Sequence, residues 1–178
     1  ALDPGGRVIY VSTFSKMLMP GLRVGFLAAD GPVYDSLVDF KRVNDLATST
    51  LVQHALEAYV TVGRSQAHLH RLCQIFRKRR DVMVSAIERY LPTGVRFDLP
   101  QGGLFIWLLL PQELTSEVLL PLAWEEGVDF AAGSPFFPEE IETSNWLRLN
   151  FVVQAPGEIE EGIKRLGKAI KRSRAARK

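Results

Sequence analysis

The 178-residue sequence contains one cysteine, Cys73, and only three histidines. A lone cysteine cannot close an internal disulfide, which fits a reducing compartment and predicts a cytoplasmic protein. His68, His70 and Cys73 stand close together, but helix residues two apart do not share a face. With no other ligand cluster in the chain, no metal is expected. Apolar runs are short: the longest, Gly103 to Leu110, falls far below the roughly 20 residues that cross a bilayer. Neither sign of charge is in excess, since 22 basic and 20 acidic residues leave a net charge of +2. That balance gives no general footprint for nucleic acid. Basic residues gather only near the end, from Lys164 to Lys178, where no aromatics interleave and a solvated helix face is expected. No methionine opens the chain and no signal peptide follows Ala1, so the sequence reads as one edge of a longer protein.

What is present is ordinary globular material, 47% hydrophobic and 24% charged. Two β-branched and aromatic runs, Arg7 to Ser12 and Arg23 to Ala29, predict buried strands. Helices are predicted from Pro32 to about Val43 and from Ser49 to Val62. A longer one runs from Ser65 to Leu91, where Leu69, Leu72, Phe76, Met83, Ile87 and Tyr90 recur at three- and four-residue steps. Pro92 and Gly94 end it. The pattern then changes to short strands at 95–98, 104–110, 128–131 and 146–153, with helices at 116–127 and 157–171. The fold class is therefore α/β followed by an α+β part, with a boundary in or just after the long helix. Two strands are few for a complete doubly wound sheet.

Thr13, Ser15, Lys16 and Arg23 share the polar connection between the first two strands. Loops at strand ends are where α/β proteins bind ligands. Hydroxyls donate to phosphate oxygens and a guanidinium pairs with them bidentately. A lysine held near another cation is deprotonated more easily and attacks carbonyls to give a Schiff base. Taken alone, the same lysine is more readily an exposed surface charge. Arg148 alternates with Leu147, Leu149 and Phe151, as the outward member of a half-buried strand would. Gly102 and Gly103 suit a bulge or a tight strand start, and Phe105, Trp107 and Phe130 suit a core.

The run from Ser12 to Gly25, STFSKMLMPGLRVG, resembles the lysine signature of class I/II, fold-type I aminotransferases that use pyridoxal 5'-phosphate. Pro100 to Trp107, PQGGLFIW, resembles that family's P-x-G-G-x-F-x-W strand, and Trp146 to Phe151, WLRLNF, its late arginine strand. The resemblance implies that residues 1–80 are the C-terminal part of the large cofactor-binding domain and residues 81–178 the small domain. It implies that Lys16 forms the Schiff base and that Thr13, Ser15 and Arg23 hold the phosphate. Arg148 would pair with the substrate α-carboxylate, with Gly103 beside the substrate. An amino acid and a 2-oxo acid would be the substrates, and two copies would form a homodimer.

The resemblance covers only the second half of a family member. The residues that in the family contact the cofactor ring would precede Ala1, so the chain is expected to be a fragment not competent for transamination alone. The lysine and Pro-Gly-Leu-Arg pattern is most similar to aminoadipate- and kynurenine-type aminotransferases. A second possibility is the effector domain of a GntR/MocR-type transcription regulator, whose lysine motifs are similar. Nucleic acid would be a partner only if a DNA-binding domain preceded these residues.

Overall fold

The computed structural model describes residues 5–138 and 145–175. They form two compact units that meet between Cys73 and Gln74, and each is considered by itself.

The first unit begins with a hairpin. Strand β1 (Tyr10–Thr13) pairs antiparallel with β2 (Gly25–Ala28), Tyr10 opposite Ala28 and Thr13 opposite Gly25. Between them a single 3-10 turn spans Pro20–Leu22, started by the proline whose fixed φ suits a first helical position. Helices α1 (Tyr34–Asp45) and α2 (Thr50–Thr61) follow, and α3 (Arg64–Tyr90) starts in this unit and continues into the next.

The two strands occur near where the hydrophobic runs place them, but they are not buried. Val11 is 68% exposed, and Phe26 and Leu27 are exposed as well. A two-stranded ribbon has two faces, and among the described residues of this unit no layer covers either, so β-branched composition alone does not secure burial. Val24 is the one hydrophobic side chain of the first unit, among the described residues, that is fully buried.

The second unit holds the core. Strands β3 (Phe105–Leu109), β4 (Ala131–Ala132) and β5 (Trp146–Asn150) form an antiparallel sheet in the order β3-β5-β4. Ile106 and Leu108 of β3 and Leu147 and Leu149 of β5 alternate onto one buried face, as the period of two requires. Against that face pack Met83, Ala86 and Ile87 of α3, with Leu119 and Ala123 of α4 (Ser116–Glu125). Ile159, Ile163, Leu166 and Ile170 of α5 (Pro156–Ala175) complete the layer at three- and four-residue steps. Gly167 lets α5 approach the end of α3 closely, because a Cβ there would stand 2.6 Å from the Tyr90 carbonyl oxygen.

Two predicted strands shrink. Residues 95–98 contribute only a bridge between Arg96 and Leu109, and of 128–131 only Ala131 enters β4. Both segments lie on sheet edges, where one neighbour at most fixes the backbone. Among the described residues no helix is long and apolar enough to cross a membrane.

Candidate functional site

The hairpin loop of the first unit carries four of the predicted residues. Thr13 ends β1, and its Oγ1 accepts the Ser15 amide hydrogen at 3.1 Å. The same Oγ1 lies 3.0 Å from Ser15 Oγ and 3.2 Å from the Val24 carbonyl, so its one proton can serve either acceptor. Phe14 N donates to that carbonyl at 3.0 Å, which ties the loop to the start of β2. Leu18 N donates to Phe14 O at 2.8 Å and closes one helical turn around Lys16. Lys16 is exposed on this turn.

Arg23 follows Pro20–Leu22 with φ 52° and ψ 35°, the left-handed region, and its amide donates to Pro20 O at 3.4 Å. A non-glycine residue there is disfavoured, and such strain concentrates at binding loops. Gly25 is needed for closeness rather than for φ, since a Cβ on it would stand 2.9 Å from Ser12 O. The loop thus carries two hydroxyls that contact each other, with an exposed guanidinium and an exposed primary amine on the same connection. That is a donor set for a phosphate ester beside a group able to bind a carbonyl.

Arg148 belongs to the second unit. It sits in the central strand β5, with Trp107 of β3 opposite on one side and Ala131 of β4 on the other. Its guanidinium carbon is 4.1 Å from the centre of the Phe105 ring and 4.2 Å from that of Phe136. The side chain is half-buried, and its partners in the described structure are these aromatic faces.

Phe105 and Trp107 are therefore not core residues. They occupy the sheet face opposite the core, because odd positions of β3 point away from Ile106 and Leu108. Trp107 meets Phe136 edge-on at 5.3 Å, Phe137 at 5.8 Å and Trp146 at 6.4 Å. Phe130, the third residue of that group, is buried in the core as composition suggests. Gly103 precedes β3 with φ +81° and open space where a Cβ would lie. Its backbone conformation favours glycine, and it leaves room beside the strand.

Phe136 and Phe137 also belong to this surface; their composition does not single them out, although the run Gly133-Ser134-Pro135-Phe136-Phe137 carries a signal. A turn sequence delivering adjacent aromatics next to a strand marks a built surface. Of the other singled-out side chains, His68 and Tyr59 line a cavity with Phe14, Met17 and Leu18 of the lysine loop. His68 faces the Tyr59 ring edge-on at 6.5 Å, and the exposed Trp124 donates through Nε1 to Asp129 at 3.0 Å. Among the described residues no group of histidine, cysteine and carboxylate side chains could hold a metal ion.

Comparison with known proteins places this geometry. The family description "Aminotransferase class I and II" matches residues 1–166. Aromatic-amino-acid aminotransferase 1 of Thermococcus litoralis is 39% identical over 171 residues, which are 96% of this chain and 41% of the relative. The crystal structure of LysN, the alpha-aminoadipate aminotransferase of Thermus thermophilus, is complexed with N-(5'-phosphopyridoxyl)-L-leucine. It superposes with a TM-score of 0.88 at 38% identity, covering 95% of this chain and 43% of that one. The HTH-type transcriptional regulator YdfD of Bacillus subtilis is 31% identical over 170 residues, 96% of this chain and 35% of the regulator. The chain thus spans about two-fifths of the length of the aminotransferases it matches, and its fold is that of the matching part. This chain belongs to the class I and II aminotransferase family.

Proposed function

We propose that the full-length protein is a pyridoxal 5'-phosphate-dependent aminotransferase that moves an amino group between an amino acid and a 2-oxo acid. The observation that carries this reading is the turn closed around Lys16, braced by Thr13 and Ser15 and followed by the strained Arg23. The cofactor fits the residues present. Thr13, Ser15 and Arg23 would hold its phosphate through hydroxyl and guanidinium hydrogen bonds, and Lys16 Nζ would be its attachment point. When bound, the cofactor supplies an electron sink for charge developing at the substrate's α-carbon.

The protein's own residues do the rest. Lys16 Nζ, carried on an exposed side chain, would be the base that takes the proton from the substrate's α-carbon and passes it on. Arg148 pairs with the substrate carboxylate, which a planar fork grips in two parallel hydrogen bonds where a lysine offers a point charge. Gly103, which has open space where a Cβ would lie, would border the substrate.

The test is direct. Full-length protein mixed with pyridoxal 5'-phosphate should develop a visible absorption band that borohydride removes, and digestion should recover the reduced label on Lys16. Lys16→Ala should abolish both. A band that survives in Lys16→Ala refutes the assignment.

The likeness to an HTH-type regulator supports a second reading, an effector domain that binds the same cofactor while an attached domain binds DNA. The adjoining sequence separates the two: a winged helix ahead of these residues favours the regulator, and an aminotransferase N-terminal half favours the enzyme. A homodimer in the cytoplasm completes the proposal, supported by the exposed apolar side chains of the first unit and the single cysteine. Light scattering of the full-length protein checks the dimer.

A further inference from the structure

We propose that Phe105 and Phe136 are positioning residues for substrate recognition, clamping the Arg148 guanidinium so that its edge is set for a carboxylate. This rests on the reading of Arg148 as the carboxylate partner. The observation behind it is the company that this arginine keeps. Arg80, Arg89, Arg165 and Arg172 of the same unit each bond to a carboxylate, and Arg79 bonds to a backbone carbonyl. Arg148 instead has two phenyl faces against its guanidinium carbon, at 4.1 and 4.2 Å.

Stacking uses the faces of a guanidinium and leaves its N–H donors, which lie in the plane, for a ligand. Rings against it fix that plane and strip it of water there without neutralising it. The charge is then held ready for an anion that presents two oxygens together. An arginine already paired with a protein carboxylate could not offer this.

The sequence builds the clamp from three places. Phe105 is the diagonal neighbour of Arg148 across the ladder, since Trp107 is its direct partner and Phe105 lies two residues earlier. Phe136 arrives on the 3-10 turn Ser134–Phe136. Trp107 also meets the Phe136 ring edge-on at 5.3 Å and an angle of 84°, which restrains it. Phe136 is 45% exposed, so core packing does not account for its placement.

The experiment uses full-length apoprotein and two probes. One is N-(5'-phosphopyridoxyl)-L-leucine, and the other is N-(5'-phosphopyridoxyl)-3-methylbutylamine, the same molecule without its carboxylate. The dissociation constant of the second probe divided by that of the first, measured by calorimetry within each variant, isolates the carboxylate and cancels any general loss of binding. Phe136→Met and Phe105→Leu should each reduce that ratio by roughly three- to thirtyfold, the span of a cation–π contact. Phe136→Tyr should restore it, and Arg148→Ala should abolish it. Because Phe136 is half outside, Phe136→Met decides the matter even if Phe105→Leu does not fold. A ratio unchanged in Phe136→Met while Arg148→Ala abolishes it overturns the clamp and leaves the arginine's role standing. A ratio unchanged in Arg148→Ala overturns the role itself.

Discussion

Gly133 donates its amide hydrogen to the Trp146 carbonyl at 2.8 Å, and a Cβ on Gly133 would stand 2.5 Å from the Cβ of Trp146. Its φ of −74° is available to any residue, so closeness alone requires glycine. This contact seats the Ser134–Phe136 turn on β5. Gly133→Ala must therefore push the turn or the strand aside, with an overpacking cost of about 1–3 kcal/mol. Denaturant unfolding followed by tryptophan fluorescence should show a lowered midpoint. An unchanged midpoint would mean that the turn sits on the strand more loosely than these distances state.

Arg23 combines two roles that substitution can separate. Its left-handed backbone disfavours a side chain, while its guanidinium is the proposed phosphate partner. Arg23→Gly removes the guanidinium but suits the backbone, so the fold should be at least as stable as before. The affinity of the full-length protein for pyridoxal 5'-phosphate should nevertheless fall about ten- to a hundredfold, the value of a charge-assisted hydrogen bond. Equal affinity in the two proteins, measured by calorimetry, would remove Arg23 from the phosphate site.

How far the sequence foretells this molecule differs between its parts for a physical reason. Long helices are legible because apolar spacing recurs over many turns, as from Leu69 to Tyr90, and Pro92 and Gly94 mark the end of α3. The lysine loop is legible because Pro20, Gly21 and Gly25 punctuate it. The burial expected of β1 and β2 does not hold, since composition reports what a strand could cover and not whether a second layer is there. Aromatic composition assigns Phe105 and Trp107 to the core. Their alternation with Ile106 and Leu108 already put them on the other face. The clamp on Arg148 was out of reach, because it joins residues from 105, 136 and 148 through a pairing register that no local pattern states.

The uneven core predicts uneven stability. Every member of the main buried cluster, from Met83 to Ile170, lies in the second unit, whereas the first buries only Val24 among its described hydrophobic side chains. Residues 74–178 expressed alone should unfold in a single cooperative transition, and residues 1–73 alone should show none. Leu166→Ala, at a fully buried position of α5, should cost the second unit about 2–5 kcal/mol. Thermal circular dichroism of the two pieces decides it. A cooperative melt of residues 1–73 would show that its few buried contacts suffice.

Acid should weaken the second unit partly through Glu161. The hydrogen bond from Arg165 Nε, at 2.9 Å, and the nearby Lys164 hold this carboxyl below its ordinary value of 4.5. A carboxyl whose folded-state value is depressed contributes stability above the unfolded value and loses it as pH falls through the folded one. Glu161→Gln should therefore melt below the parent at neutral pH, and the gap should close as the solution is acidified through the carboxylate range. Because all three side chains are about half open to solvent, salt should shrink the gap at neutral pH as well. A deficit that persists undiminished at low pH would assign the loss to packing of α5 rather than to charge.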